Sequence, residues 1–267
     1  MWNVAGRELK SRLFMGTALY QSPEQMLDAL EHSESDVVTV SLRRQMAGGN
    51  TAGNRFFELL RSQNKFFLPN TAGCHTAKEA VETANMAREV FGTNWIKLEV
   101  IGDDYNLQPD PFELLAATKT LIKQGFEVFP YCSADFVVAQ RLVAAGCNIL
   151  MPLAAPIGTG MGPTDIYALK NLRARFPNTI LIVDAGIGKP SHATTVMELG
   201  YDAVLLNSAV ALSDEPKVMA EAFKHAVLAG RLGFEAGLMM EKNSASPSTP
   251  VIGVPFWHQA QNLLGNN

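Results

Sequence analysis

A chain of 267 residues with 47% hydrophobic and 18% charged residues can bury a large core, which excludes a disordered or coiled-coil protein. Its net charge of −4 gives no reason to expect nucleic acid or a membrane surface as partner. The three cysteines, Cys74, Cys132 and Cys147, are odd in number and show no CxxC pair; they fit a reducing compartment, and no metal-ligand cluster with histidine is visible.

The first seven residues carry none of the basic, apolar and cleavage segments of a signal peptide. No later run approaches the ~20 apolar residues that a membrane helix needs, so a soluble, cytoplasmic protein is expected. Residues 12–18 and 36–42 read as the first two strands. Arg43 and Arg44 then open a glycine-containing loop, 46–53, which reads either as a lid or as solvated charge. A third strand, 65–70, runs into Asn70-Thr71-Ala72-Gly73-Cys74, where polar groups either touch a substrate or serve ordinary turn chemistry. Residues 76–91 follow with helical spacing of their apolar positions.

The fourth strand, 95–101, holds an unusual residue: Trp95-Ile96-Lys97-Leu98-Glu99-Val100-Ile101 places a lysine inside an apolar run. Alternation puts Lys97 and Glu99 on the face of Trp95, about 7 Å apart along the strand, with Leu98 and Val100 on the other. A lysine in such a run needs a compensating group. Desolvation lowers an amine's pKa, and an amine that loses its proton can attack a carbonyl to form a Schiff base. A structural ion pair inside a barrel explains the run equally well.

Asp110-Pro111 opens a helix over 111–124 and Gly125 closes it. After a fifth strand, 126–132, the sequence predicts that Ser133 caps a helix over 134–145, with Gly146 past its end. Cys132, at the end of that strand, reads as a pocket residue or as inert packing. A sixth strand, 148–153, leads into Ala154-Ala155-Pro156-Ile157-Gly158-Thr159-Gly160-Met161-Gly162, whose alternate glycines suit either an anion-binding nest or a plain turn. The seventh strand, 179–183, ends in Asp184-Ala185-Gly186-Ile187-Gly188, and the eighth, 203–206, in Asn207-Ser208. Asp184 reads as an acid/base group or as an acceptor for loop amides. His32, His75, His192 and His225 fall at helix ends or surfaces and pair with no obvious nucleophile.

Eight strands, each followed by a helical pattern, predict a (β/α)8 TIM barrel over residues 1–240, with a doubly wound sheet as the alternative. In such barrels catalytic groups gather at the carboxyl ends of the strands, and the loops after strands seven and eight form a recurrent phosphate site. Residues 241–267 read as a polar, Ser- and Pro-rich linker and tail, in which Val251-Ile252-Gly253-Val254-Pro255-Phe256-Trp257 either docks or stays free.

Taken together, Val40-Ser41-Leu42-Arg43-Arg44, Leu68-Pro69-Asn70-Thr71-Ala72-Gly73-Cys74, the Trp95–Ile101 run, Met151–Gly160, Val183–Gly188 and Leu206-Asn207-Ser208-Ala209 resemble thiazole synthase of thiamin biosynthesis, the ThiG family. The resemblance spans roughly residues 14–237, and it departs from the family's usual residues at Ala155, Thr159, Met161 and Ser208. It implies a Schiff base between Lys97 and the ketone of 1-deoxy-D-xylulose 5-phosphate, with Glu99 and Asp184 as acid/base carboxylates. It implies sugar-phosphate binding at Gly158, Ala185, Gly186, Asn207 and Ser208, and condensation with dehydroglycine. Sulfur would come from the thiocarboxylated end of a small ubiquitin-like sulfur-carrier protein, with no metal or organic cofactor, in a homo-oligomer (dimer or tetramer). A class I aldolase of another sugar phosphate and a non-catalytic scaffold barrel are the alternatives.

Overall fold

Parallel strands in a closed barrel are buried on both faces, so near-continuous apolar runs are what the architecture demands. The computed structural model, which describes residues 1–42 and 58–245, shows this arrangement. Eight parallel strands close on themselves: β3 (Leu13–Gly16), β4 (Val37–Ser41), β5 (Phe66–Asn70), β6 (Trp95–Leu98), β9 (Glu127–Cys132), β10 (Ile149–Pro152), β11 (Ile180–Asp184) and β12 (Ala203–Leu206). Their ends lie within three residues of the eight predicted runs, and closure leaves the barrel no exposed strand edge.

Among the described residues, four further strands lie outside the barrel. β1 (Trp2–Val4) and β2 (Arg7–Leu9) pair as an antiparallel hairpin, as do β7 (Ile101–Asp103) and β8 (Gln108–Pro109). Helices among the described residues include α1 (Pro23–His32), α2 (Ala77–Phe91), α3 (Pro111–Lys123), α4 (Phe136–Ala144), α5 (Ile166–Arg175), α6 (Pro190–Glu198), the short α7 (Ser208–Ala211) and the long α8 (Pro216–Ala236). Met1–Ala236 is one compact unit and Gly237 onward another. The Arg43/Arg44 loop and the apolar tail segment 251–257 lie outside the described residues.

One predicted cap is corrected. Helix α4 starts at Phe136, and its first turn is capped by Asp135, whose carboxylate accepts the Val138 N–H at 2.8 Å. Ser133 stands two residues too early; serine and aspartate cap equally well, so apolar spacing does not tell them apart. Asp110 caps α3 as expected, accepting from Phe112 and Glu113, and Gly125 and Gly146 take positive φ just past α3 and α4.

Two cores divide the apolar side chains. One lies between barrel and helices and holds Leu98, Val100, Cys132, Val183 and Leu206. The other fills the barrel interior with Phe14, Val37, Leu68, Trp95, Phe129, Ile149, Met151, Ile182 and Leu205. Val4 and Leu9 of the first hairpin are fully buried in this inner core. The Trp95 indole N–H donates to the Ala5 carbonyl at 3.4 Å, and the Trp95 and Phe129 rings stand 5.1 Å apart. The hairpin therefore plugs the end of the barrel where the strands begin.

Leu9→Ala removes a side chain that seals this plug. The expected loss is about 2–5 kcal/mol of unfolding free energy, read by urea denaturation, with the cleft at the opposite end retaining its ligand affinity.

Candidate active site

The barrel interior changes character along its axis because successive inward positions lie two residues apart on each strand. Phe14 gives way to Gly16 on β3, Val37 to Thr39 and Ser41 on β4, Leu68 to Asn70 on β5, Trp95 to Lys97 on β6, Ile182 to Asp184 on β11, and Leu205 to Asn207 past β12. The upper residues line a cleft of about 630 Å³ at the carboxyl ends of the strands. Lys97, Glu99, Gly158, Asp184, Ala185, Gly186, Asn207 and Ser208 all line it.

At its base Lys97 Nζ sits 3.2 Å from Glu99 Oε1 and 2.5 Å from Asp184 Oδ2. Asp184 reaches in from β11, so one ammonium bridges carboxylates from two separate strands. The three residues are 7, 5 and 3% exposed. Burial by itself pulls the Lys97 ammonium down, but Asp184 and then Glu99 outweigh it and hold the group above the ordinary lysine range. The two adjacent carboxylates thus offset the desolvation that by itself would favour the neutral amine. Burial pushes the Glu99 carboxyl up, with Lys97 opposing and Asp184 adding to the shift. The Tyr131 ring flanks the cluster, its centroid 5.9 Å from Lys97 Nζ.

Glycines shape the rim by interlocking two loops. A Cβ on Gly188 would stand 2.3 Å from the Gly160 carbonyl oxygen, and one on Gly186 would stand 2.5 Å from the Ala155 backbone nitrogen. The Gly162 N–H donates to the Gly186 carbonyl at 2.7 Å. Ala185 and Gly186 adopt φ of 67° and 72°, a left-handed conformation that is strained at a residue carrying a Cβ. The alternate glycines thus allow the loops after β10 and β11 to pack together, a use that sequence spacing does not reveal.

Asn207 is also partly committed: its Oδ1 accepts the Ala18 N–H at 3.1 Å and its side chain occupies the space against Gly16. Ser208 begins α7. Cys132 lies in the outer core rather than the cleft, where burial pushes its thiol up to about 12. Among the described residues no group of three His, Cys, Asp or Glu side chains is arranged to hold a metal ion. His192, read from sequence only as a helix-end or surface residue, joins the two loops: its Nδ1 accepts the Gly188 N–H at 3.3 Å and its ring packs on Gly162. No local pattern announces such a contact between two loops.

Comparison with known proteins follows this geometry. The model of the family described as thiazole biosynthesis protein ThiG matches residues 3–250. A Coxiella burnetii (strain RSA 493 / Nine Mile phase I) thiazole synthase is 57% identical over 256 residues, covering 96% of this chain and 98% of its own. An Agrobacterium fabrum thiazole synthase is 59% identical over 253 residues, covering 95% and 98%. Among solved structures, a chain of the Amycolatopsis orientalis BexX/CysO complex superposes with a TM-score of 0.81 at 28% identity, covering 91% of this chain and 98% of that one.

Replacing Lys97 by methionine leaves two buried carboxylates without their cation. The expected loss is about 3–5 kcal/mol of unfolding free energy near pH 8. Glu99, already raised by burial, rises further in this variant, so folding favours its protonated form. The deficit is therefore full above its folded pKa and shrinks as pH falls through it, which urea titrations at pH 5 and pH 8 would read.

Proposed function

The chain belongs to the ThiG family, the thiazole synthases of thiamine biosynthesis, and from this we propose that Lys97 forms an imine with 1-deoxy-D-xylulose 5-phosphate. The reading continues with condensation of that imine with dehydroglycine and with sulfur from a thiocarboxylated, ubiquitin-like carrier protein. The observation that carries it is the Lys97 ammonium held between Glu99 and Asp184 at the base of a cleft rimmed by glycine loops.

The charged lysine must first surrender a proton, and two carboxylates stand within reach to take it. Burial has raised the affinity of Glu99 for a proton, which suits it to act as the acceptor. The neutral amine then adds to the ketone carbon; the oxygen takes one proton from the amine nitrogen and a second from the carboxyl that had accepted the lysine's, leaves as water, and a protonated imine remains. Its positive charge sits where the ammonium was, so the two carboxylates stabilise it in the same way. The imine acidifies the neighbouring carbon, and Glu99 or Asp184 moves that proton during isomerisation and later ring closure.

Gly158, Ala185, Gly186, Asn207 and Ser208 would hold the phosphate, and their position on the cleft rim supports this. A bound phosphate fixes the far end of the substrate while the ketone reaches Lys97. That a similar chain was solved in complex with a second protein, CysO, supports a protein partner. Catalysis would reside in residues 1–240, with 241–267 as linker and tail, in a cytoplasmic homo-oligomer. No helix among the described residues is long and apolar enough to cross a membrane.

Incubation with 1-deoxy-D-xylulose 5-phosphate and borohydride tests the reading. Reduction should leave the sugar phosphate attached to the peptide containing Lys97, seen by mass spectrometry and lost in Lys97→Arg. Addition of thiocarboxylated carrier and an imine source should then give a thiazole phosphate. Absence of any adduct at Lys97 would overturn the imine.

A further inference from the structure

Glu99 lies just beyond the end of its strand. β6 stops at Leu98, whose partner on β9 is Pro130, and its pairing with β5 is the single register Asn70↔Lys97. Lys97 is thus held on both sides by neighbouring strands, opposite Asn70 and Phe129. Glu99 has passed the end of both ladders, because the chain after β5 turns away at Thr71, whose carbonyl accepts the Cys74 N–H at 3.2 Å.

One side chain takes the place of the missing strand. The Thr71 hydroxyl accepts the Glu99 N–H at 2.8 Å and donates to the Glu99 carbonyl at 2.7 Å. In extended backbone the N–H and C=O of one residue point to the same side, so a single hydroxyl can satisfy both, as a facing peptide unit would. Thr71 is itself tied to this strand, its N–H donating to the Lys97 carbonyl at 3.2 Å. It is fully buried. Removal of its hydroxyl therefore leaves two backbone groups of the buried Glu99 without this partner.

We infer that Thr71 is a positioning residue for the reaction: its hydroxyl fixes the main chain of Glu99, and so aims the carboxylate at Lys97. This inference rests on the reading of Glu99 as a group that moves protons at the Lys97 imine. A carboxylate displaced by a fraction of an ångström transfers protons poorly, while substrate binding at the glycine loops on the opposite side of the cleft is untouched.

Thr71→Val preserves shape and removes both hydrogen bonds. In the full reaction its kcat should fall about 10–100-fold, with KM for the sugar phosphate within about twofold of the parent. Thr71→Ser, which keeps the hydroxyl, should recover most of the loss. In the Glu99→Gln background the valine change should add less than about a twofold further loss, because the group it positions is already gone. Full additivity of the two changes, a valine effect confined to KM, or a serine variant as slow as valine would each overturn the inference. A Glu99→Gln enzyme with unchanged kcat would instead remove the premise, and it would do so in a chain where Thr71 is intact. Should the valine variant fail to fold, Thr71→Ser and Thr71→Ala, compared in both backgrounds, make the same distinction.

Discussion

The chemistry open to the carboxyl end of this barrel depends on one ammonium held between two carboxylates at the buried base of a cleft. The cluster of Lys97, Glu99 and Asp184 has two negative charges for one positive. Buried ion pairs stabilise proteins weakly or not at all, because desolvation offsets their attraction. Such a cluster persists only where its surroundings over-determine it. Here barrel closure sets β11 against the interior face of β6, so Asp184 meets Lys97 across the lumen rather than along a strand. No open sheet would bring these two side chains together in that way. The charge cluster depends on the closed architecture.

The interior also sorts itself by height. Aromatic and branched side chains occupy the lower positions of every strand that contributes to the cleft, and polar or small ones occupy the next position up. A change of two residues along a strand moves from oil-like packing to chemistry. The loops above are then held by close backbone approach: Gly160 against Gly188, Gly186 against Ala155, and Gly162 against His192. The rim is a packed layer in its own right, which lets it present backbone groups at fixed positions without long side chains to order them.

Much of this is legible in the amino-acid order. The eight strands follow from apolar runs punctuated by caps and glycines, since a parallel barrel buries both strand faces and leaves a strong signal. The alternation Trp95, Lys97, Glu99 likewise puts the charged pair on the inner face. What the order conceals is everything that depends on who sits opposite. Lys97 looks like an amine ready to lose its proton until Asp184 appears 2.5 Å away from a different strand. Thr71 looks like turn chemistry until its hydroxyl is seen bridging Glu99, 28 residues further on. The capping aspartate of α4 is missed for a humbler reason: Ser133 and Asp135 satisfy the same rule. The hairpins β1–β2 and β7–β8 are too short to carry a periodic signal, and pairing alone defines them.

The first of those hairpins has a consequence for traffic. With Val4 and Leu9 packed among Phe14, Trp95 and Phe129, the lumen is a blind well and not a tunnel. Any molecule that reaches the lysine must enter by the same mouth through which its product departs. Two molecules bound there at once would have to share that mouth, the deeper one entering before the one that covers it. A floor of buried aliphatic and aromatic side chains thus constrains access at the opposite end of the molecule.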